Sequence, residues 1–239
     1  MSTNPPHHHP APGPATAIVV AAGSGVRLGA VRAGRPVPKA LVEVDGRPMV
    51  VHAVEGLLAS GVDDVVVAVP REHREEFAAL LPAGVTLVVG GDTRTASVRN
   101  ALAHCADGDG PVLVHDAARP FTPPAVVHRV LAALAAGARA VVPVLPVVDT
   151  TVVVDADGRV TGEVARAALR RVQTPQGFDR GTLLAAYARV TDGGPGFTDD
   201  ASVVRAAGVP VHTVAGDELA AKITVPHDLQ RGVAPAVQA

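Results

Sequence analysis

The run Val65-Val66-Val67-Ala68-Val69 is apolar at odd and even positions alike. Successive side chains of a strand point to opposite faces, so such a run has to bury both of them. Strands buried on both faces belong to parallel sheets covered by helices. Similar short β-branched runs fall at 16–21, 64–70, 85–89, 111–115, 139–144 and 210–214. Between them, longer amphipathic stretches predict helices near 48–60, 71–81, 94–104, 123–136, 179–190 and 199–207. The alternation predicts a doubly wound, mostly parallel α/β sheet. At 239 residues the chain suits one large domain over 16–232, preceded by a Pro- and His-rich tail at 1–15 that is expected to be disordered.

One stretch departs from this rhythm. Within 148–172, two strand-like runs flank Asp155-Ala156-Asp157-Gly158, which predicts a β-hairpin inserted into the domain. An isolated hairpin is marginal in water, so this arm is expected to pair with a second copy of the chain. Other partner classes are disfavoured by composition. A net charge of −2 and 2% aromatic residues leave neither a basic stripe nor a stacking platform for nucleic acid. Nothing approaches the roughly 18 apolar residues that a membrane span needs. A single cysteine, Cys105, cannot form an intramolecular disulfide and suits a reducing cytoplasm.

Of 21 Lys and Arg residues, only Lys39 and Lys222 are lysine. The lysine ammonium is a compact point charge that reaches into sites where the broad guanidinium fork does not fit. Lys39 follows the glycine-rich turn Ala21-Ala22-Gly23-Ser24-Gly25 and Arg27. A strand running into such a turn exposes consecutive backbone N–H groups, which make an anion cradle. A P-loop would require Gly-Lys-Ser/Thr here, and that is absent. A dinucleotide fingerprint would place an acid about twenty residues on, as Asp45 is, but Leu28 replaces its third glycine and Pro36 and Pro38 block the helix that should follow. The third reading is a long basic loop around a nucleoside triphosphate.

Further segments bear on that choice. Gly90-Gly91-Asp92 ends one strand and leads to Arg94 and Ser97, and His115-Asp116-Ala117-Ala118-Arg119-Pro120 ends another. Ligands of open α/β sheets sit beyond strand carboxyl ends, where both segments fall. Asp116 reads as a strand-end turn residue or as a Mg²⁺ ligand beside phosphate oxygens. Thr174-Pro175-Gln176 follows the hairpin, and Thr198-Asp199-Asp200-Ala201-Ser202 reads equally as a site element or a helix N-cap.

Taken in order, Ala-Ala-Gly-Ser-Gly…Arg…Pro-Lys, Gly-Gly-Asp-x-x-Arg-x-x-Ser-Val, His-Asp-Ala-Ala-Arg-Pro, Asp-Thr, Thr-Pro-Gln, Thr-Asp-Asp-Ala-Ser and Lys-Ile-Thr resemble the 2-C-methyl-D-erythritol 4-phosphate cytidylyltransferase family from about residue 16 to 230. The resemblance implies a Rossmann-like nucleotidyltransferase fold, CTP as cosubstrate, Mg²⁺ as metal and a homodimer joined through the hairpin arm. It implies Arg27 and Lys39 as transition-state stabilisers on the CTP phosphates, and Arg166 and Lys222 as the residues positioning the sugar-alcohol phosphate. Ala21, Ala22, Gly23, Ser24, Gly25, Gly91, Asp92, Arg94, Ser97 and Ala117 fall where the family holds CTP. Asp116 matches the metal ligand and, with Arg119, Thr150 and Thr174, the substrate pocket.

Two departures from the pattern stand out. The Arg27-to-Lys39 loop is longer than the family pattern, and Ala220-Ala221 replaces the usual Asn-Ile before Lys222. Asp217 and Glu218 are candidates for a second acid. The implied reaction is in-line attack of a substrate phosphate oxygen on the α-phosphorus of CTP, for which neutralising charge matters more than any nucleophilic side chain. A cytidylyltransferase for ribitol 5-phosphate shares nearly all these motifs. Retention of both lysines counts against a catalytically dead nucleotide-binding regulator, and the two prolines count against a dinucleotide-dependent oxidoreductase. Since Arg166 lies just past the arm, it is expected to serve the other subunit's site across a two-fold axis.

Overall fold

The computed structural model describes residues 13–23, 25, 28–32, 34–105, 108–190 and 196–230. The expectations for residues 1–12, Ser24 and Arg27 therefore lie outside the described residues. Strand β1 (Thr16–Val20) leads into the glycine turn, and among the described residues no helix follows at once. Two short ribbons, β2–β3 (Val31–Arg32 and Arg35–Pro36) and β4–β5 (Glu43–Val44 and Arg47–Pro48), fill the connection to helix α1 (Met49–Ala59). Asp45, the acid of the dinucleotide reading, sits in the tight turn of the second ribbon with φ of 50°. That position is not the end of a core strand, so the dinucleotide reading fails on geometry as well as on sequence.

From there the predicted alternation holds: β6 (Asp64–Val69), α2 (Arg74–Leu80), β7 (Thr86–Val89), α3 (Arg94–Leu102), β8 (Val112–Asp116), α4 (Pro124–Ala135) and β9 (Ala140–Pro146). The hairpin strands β10 (Thr151–Val154) and β11 (Val160–Val164) come next. After them run β12 (Arg170–Val172), β13 (Gln176–Phe178), α5 (Arg180–Tyr187), α6 (Asp200–Ala206) and β14 (His212–Ala215). Local signals explain the helix starts. Pro124 occupies the first turn of α4, where its missing N–H costs nothing. Side chains of Thr93, Asp179 and Asp199 cap α3, α5 and α6, and Asp199 forms a full capping box with Ser202.

In the main sheet β7, β6, β1, β8, β13 and β9 lie side by side, and β12 and β14 both pair with β9. The pairs β1–β6, β1–β8, β6–β7 and β9–β14 are parallel, whereas β12 and β13 run antiparallel to their neighbours. Chain direction around β1 makes it the switch point: β6 and β7 build out on one side, β8 on the other. Parity along the strands decides the two cores. Ala17, Val19, Val65 and Val67 join Val50 and Val54 of α1, Phe77 of α2 and Val130 of α4. Ile18, Val66 and Val114 join Val98 of α3, Leu183 of α5 and Val204 of α6 on the opposite face. Cys105 is buried in the second core, which pushes its thiol up to about 11, so it is a packing residue.

The hairpin is a separate two-stranded sheet with a register shift at Val153/Val154. Asp155 organises its turn by accepting the N–H groups of Asp157 and Arg159 at 3.0 and 2.9 Å. One boundary needs correcting. The predicted arm of 148–172 extends too far, because Arg170–Val172 rejoins the main sheet as β12 beside β9. Val153, Val154 and Val160 of the arm are 51%, 53% and 64% exposed.

Candidate active site

The crevice opens beyond the carboxyl ends of the paired strands β1 and β8, at the switch point. A cavity of about 350 Å³ is lined by Gly23, Gly25, Lys39, Arg94, Asp116 and Lys222, among others. It shares Val20, Gly23 and Arg94 with a second cavity of about 640 Å³, walled by Ala22, Gly91, Asp92 and Ser97. Behind Lys222 lies a third, of about 850 Å³, walled by Arg119, Phe121, Arg171, Gln173 and Glu218.

Lys39 is placed by the glycine turn itself. It begins a single 3₁₀ turn after Pro38, and its N–H donates to Gly23 O at 3.3 Å. Gly25 has φ of +68°, and a Cβ there would lie 2.6 Å from Lys39 Cβ. Glycine is thus required twice over, for the left-handed backbone and for the close approach. The second loop is also built on close contact. A Cβ on Gly90 would meet Ala22 Cβ at 2.4 Å, and Ser97 Oγ accepts the Gly91 N–H at 3.1 Å while donating to Thr93 O at 3.0 Å.

Asp116 ends β8 and is held on every side. Its Oδ2 accepts from Lys222 Nζ at 2.7 Å, and its Oδ1 accepts from Arg94 Nε at 3.3 Å. Burial acts to raise its pKa, but Arg94 first and then Lys222 outweigh this and hold the carboxyl well below the usual range. Arg94 also forms an ion pair with a second carboxylate, its Nη1 lying 2.7 Å from Asp200 Oδ2. Tyr187 Oη donates to Asp200 Oδ1 at 2.5 Å. Burial works against the charge on Arg94, yet Asp200 and Asp116 together raise its pKa and keep it cationic. The Thr-Asp-Asp motif therefore divides its labour: Asp199 caps α6, and Asp200 is fully buried under Arg94.

Behind Asp116 the hydrogen-bond accounting fixes a histidine tautomer. His115 Nε2 faces Arg119 O at 3.2 Å, and a carbonyl can only accept, so Nε2 carries the proton. Nδ1 then accepts from Thr174 Oγ1 at 3.0 Å, and Thr174 Oγ1 accepts the Asp116 N–H at 3.1 Å. Burial lowers the His115 pKa to about 4, so the ring is neutral.

The structure thus brings Ala21, Gly23, Gly25, Lys39, Arg94, Asp116, Ala117 and Lys222 to one cavity and Ala22, Gly91, Asp92 and Ser97 to the next. Four expected substrate contacts lie outside these two cavities in the single chain, Arg119 being on the wall of the third. Thr174 is buried behind Asp116 and braces its backbone. Arg119, also buried, donates Nη1 to Ala220 O at 2.6 Å and Nη2 to Val172 O at 3.3 Å. Thr150 is exposed, and Arg166 donates Nη1 to Val148 O at 2.8 Å beside the arm, lining none of these cavities. Neither acid proposed near Lys222 reaches Asp116's cavity: Asp217 caps the 3₁₀ turn Glu218–Ala220, and Glu218 pairs with Arg171 at 2.7 Å. Sequence reasoning missed Gln173, Tyr187 and the separate role of Asp200. Buried polar side chains next to a motif give no signal of their direction in a single sequence.

Fold and site together define an α/β protein with a cationic crevice at its topological switch point, suited to a polyanionic ligand. The chain belongs to the 2-C-methyl-D-erythritol 4-phosphate cytidylyltransferase family, whose family model (IspD) matches residues 15–236. It is 56% identical over 221 residues to a protein of that name from Nocardia farcinica (strain IFM 10152), covering 91% of this chain and 92% of that one. With its namesake from Rhodococcus opacus (strain B4) it shares 52% identity over 218 residues, again covering 91% and 92%. The crystal structure of the protein of the same name from Thermus thermophilus superimposes with a TM-score of 0.72 at 37% identity, covering 90% of this chain and 96% of that one.

Proposed function

We propose that this chain transfers CMP from CTP to 2-C-methyl-D-erythritol 4-phosphate, releasing pyrophosphate and forming 4-diphosphocytidyl-2-C-methyl-D-erythritol for isoprenoid precursor synthesis. The observation that carries this reading is the convergence of Lys39, Arg94 and Lys222 on one crevice in a member of this family. Two phosphates must approach each other, and their repulsion is the main barrier that preorganised cations lower. Gly23, Gly25 and Lys39, with Arg27 from the same loop, hold the triphosphate. Gly91, Asp92 and Ser97 wall the compartment for the nucleoside. Lys222 exchanges Asp116 for the acceptor phosphate and steadies it for in-line attack.

The chemistry of Asp116 fits a Mg²⁺ ion delivered with the nucleotide. It is an ionised carboxylate on the cavity wall, and Mg²⁺ characteristically takes one or two carboxylates plus phosphate oxygens. Among the described residues no group of three His, Cys, Asp or Glu side chains offers a protein-only site. Bound there, the ion would polarise the phosphate oxygens and neutralise developing charge.

The exposed valines of the arm support a homodimer, and the absence of Arg166 and Thr150 from the walls of their own chain's cavities supports their serving the partner's. A cytoplasmic site of action is part of this reading, on account of its soluble substrates. Among the described residues no helix is long and apolar enough to cross a membrane. Pyrophosphate release from CTP, measured with 2-C-methyl-D-erythritol 4-phosphate and with ribitol 5-phosphate, tests the reading. Faster release with the second acceptor overturns the substrate assignment.

A further inference from the structure

Lys222 rides on a strap, residues 216–224, that runs between the first and third cavities and contributes to the walls of both. The Lys222 side chain is 40% exposed, and its ammonium end meets only Asp116 at 2.7 Å among the ion pairs of the described residues. Where that ammonium points is thus set by the strap. Gly216 N–H donates to Val144 O and Ile223 N–H to Ala118 O, each at 2.9 Å, and Arg119 reaches Ala220 O.

Arg129 also holds Gly216 O, Arg171 the Glu218 carboxylate and Asp228 the Thr224 N–H, and one further anchor is a side chain outside every motif. Gln173 is 4% exposed. Its Nε2 donates to Asp217 O at 2.7 Å, and its Oε1 accepts the Asp217 N–H at 3.0 Å. Both bonds go to the backbone of one residue, as in a β-ladder pair, so the amide fixes the strap's height and its rotation. Gln173 is itself fixed, its own N–H donating to Pro143 O at 2.8 Å. The fit is close enough to dictate the neighbouring residue: a Cβ on Gly216 would lie 2.2 Å from Gln173 Oε1.

We propose that Gln173 is a positioning residue for Lys222, setting the ammonium group for the acceptor phosphate without touching either substrate. This rests on the reading that Lys222 holds that phosphate.

The test is a double-mutant cycle on the full-length enzyme, with kcat and KM measured separately for CTP and 2-C-methyl-D-erythritol 4-phosphate. Gln173→Met keeps the side chain's length and removes both polar atoms. It is expected to lower kcat/KM for the acceptor by on the order of 10- to 100-fold, the loss a small misplacement of a charged group produces, with KM for CTP unchanged. In a Lys222→Ala background the same substitution is expected to cost nothing more, because Gln173 acts only through that lysine. Gly216→Ala, which leaves every polar atom in place but displaces the amide, is expected to reproduce the signature and carries the test should Gln173→Met fail to fold. Wild-type kinetics in Gln173→Met, or a loss that multiplies with that of Lys222→Ala, overturns the proposal and leaves the role of Lys222 standing. Normal turnover in Lys222→Ala alone instead removes the premise.

Discussion

Asp116 is fixed by Arg94, Lys222 and a Thr174–His115 chain behind its own backbone, whereas Arg166 is held by a single carbonyl, Val148 O. The first group sits where two strands of an eight-stranded sheet end, over two apolar cores. The second follows a two-stranded ribbon whose valines face outward. A charge with buried supporting bonds has its position determined by its own chain. A charge on an unsupported ribbon takes its functional position from whatever covers that ribbon. On the proposed reading, one chain would complete the CTP-facing half of the crevice, and the acceptor-facing half would draw on Arg166 of a neighbour.

The largest effects fall on the charges themselves. Lys39→Ala is expected to lose about 10²–10³-fold in turnover, as for removal of one preorganised charge-stabilising donor. Lys39→Arg is also expected to be impaired, because a fork does not replace a point charge beside Gly25. Arg166→Ala should be nearly inactive too, and mixing its chains with Lys39→Ala chains breaks or sharpens the contrast between the two regions. If Arg166 acts across the dimer, half of the dimers are mixed and half of their sites are whole, so about a quarter of wild-type activity returns. No recovery on mixing would place Arg166 in its own chain's site and remove the contrast.

A smaller effect comes from His115, the deepest support of the Asp116 side. Its folded pKa of about 4 lies below the ordinary 6.5, so between these values the unfolded chain binds a proton that the folded chain does not. Stability from this group is therefore complete above pH 6.5, declines as pH falls toward 4 and levels off below. The full span corresponds to about 3 kcal/mol. Subtracting the unfolding free energy of His115→Asn from that of wild type, pH by pH, isolates the histidine from Asp116 and Asp200. A difference curve flat from pH 6.5 to 4 would contradict the buried neutral tautomer.

What could be read from residues alone follows the same division. Strands such as β6 were legible because two-sided valine runs leave them no alternative to a covered parallel sheet. β13 was not: it has three residues with a glycine at its centre, tolerated because a Cβ on Gly177 would lie 2.3 Å from Val130 Cγ1 of α4. That constraint belongs to packing and leaves no periodic trace. At the site, motif order identified which residues gather, and Lys39, Arg94, Asp116 and Lys222 do meet. Direction was illegible. Thr174 and Arg119 carry the motif's polar groups, yet spend them on Asp116's backbone and on the strap before Lys222. Ala220 serves that strap through its backbone, since Arg119 uses the Ala220 carbonyl and no side chain.

A pair of glycines tests the contrast at lower energy. Gly25 and Gly158 both have positive φ, +68° and +80°, but a Cβ on Gly158 would meet nothing within 4 Å. Alanine at either position is expected to cost roughly 1–2 kcal/mol of backbone strain. Only Gly25→Ala also pushes on Lys39, so it alone should lower kcat when both variants are assayed below their melting temperatures. Equal kinetic damage at both positions would mean that the turn and the arm are not independent.

The smallest effect on folding is expected where the largest effect on assembly is. Val153, Val154 and Val160 keep about half or more of their surface in contact with solvent in the isolated chain. Replacing all three by threonine preserves shape and β-propensity, so the single chain's unfolding free energy should change by no more than about 0.5 kcal/mol per site. If the arm docks on a second chain, the same three hydroxyls enter an apolar contact and weaken it. The triple variant should then dissociate at protein concentrations where wild type stays dimeric, with a melting temperature and a specific activity that both fall on dilution. Activity should return at high concentration, since Lys39, Asp116 and Lys222 are untouched and Arg166 regains its site. Sedimentation velocity and pyrophosphate release on one dilution series measure both quantities. An intact dimer in the triple variant would show that the arm is not the contact, and a fully active monomer would show that the crevice is complete without a neighbour.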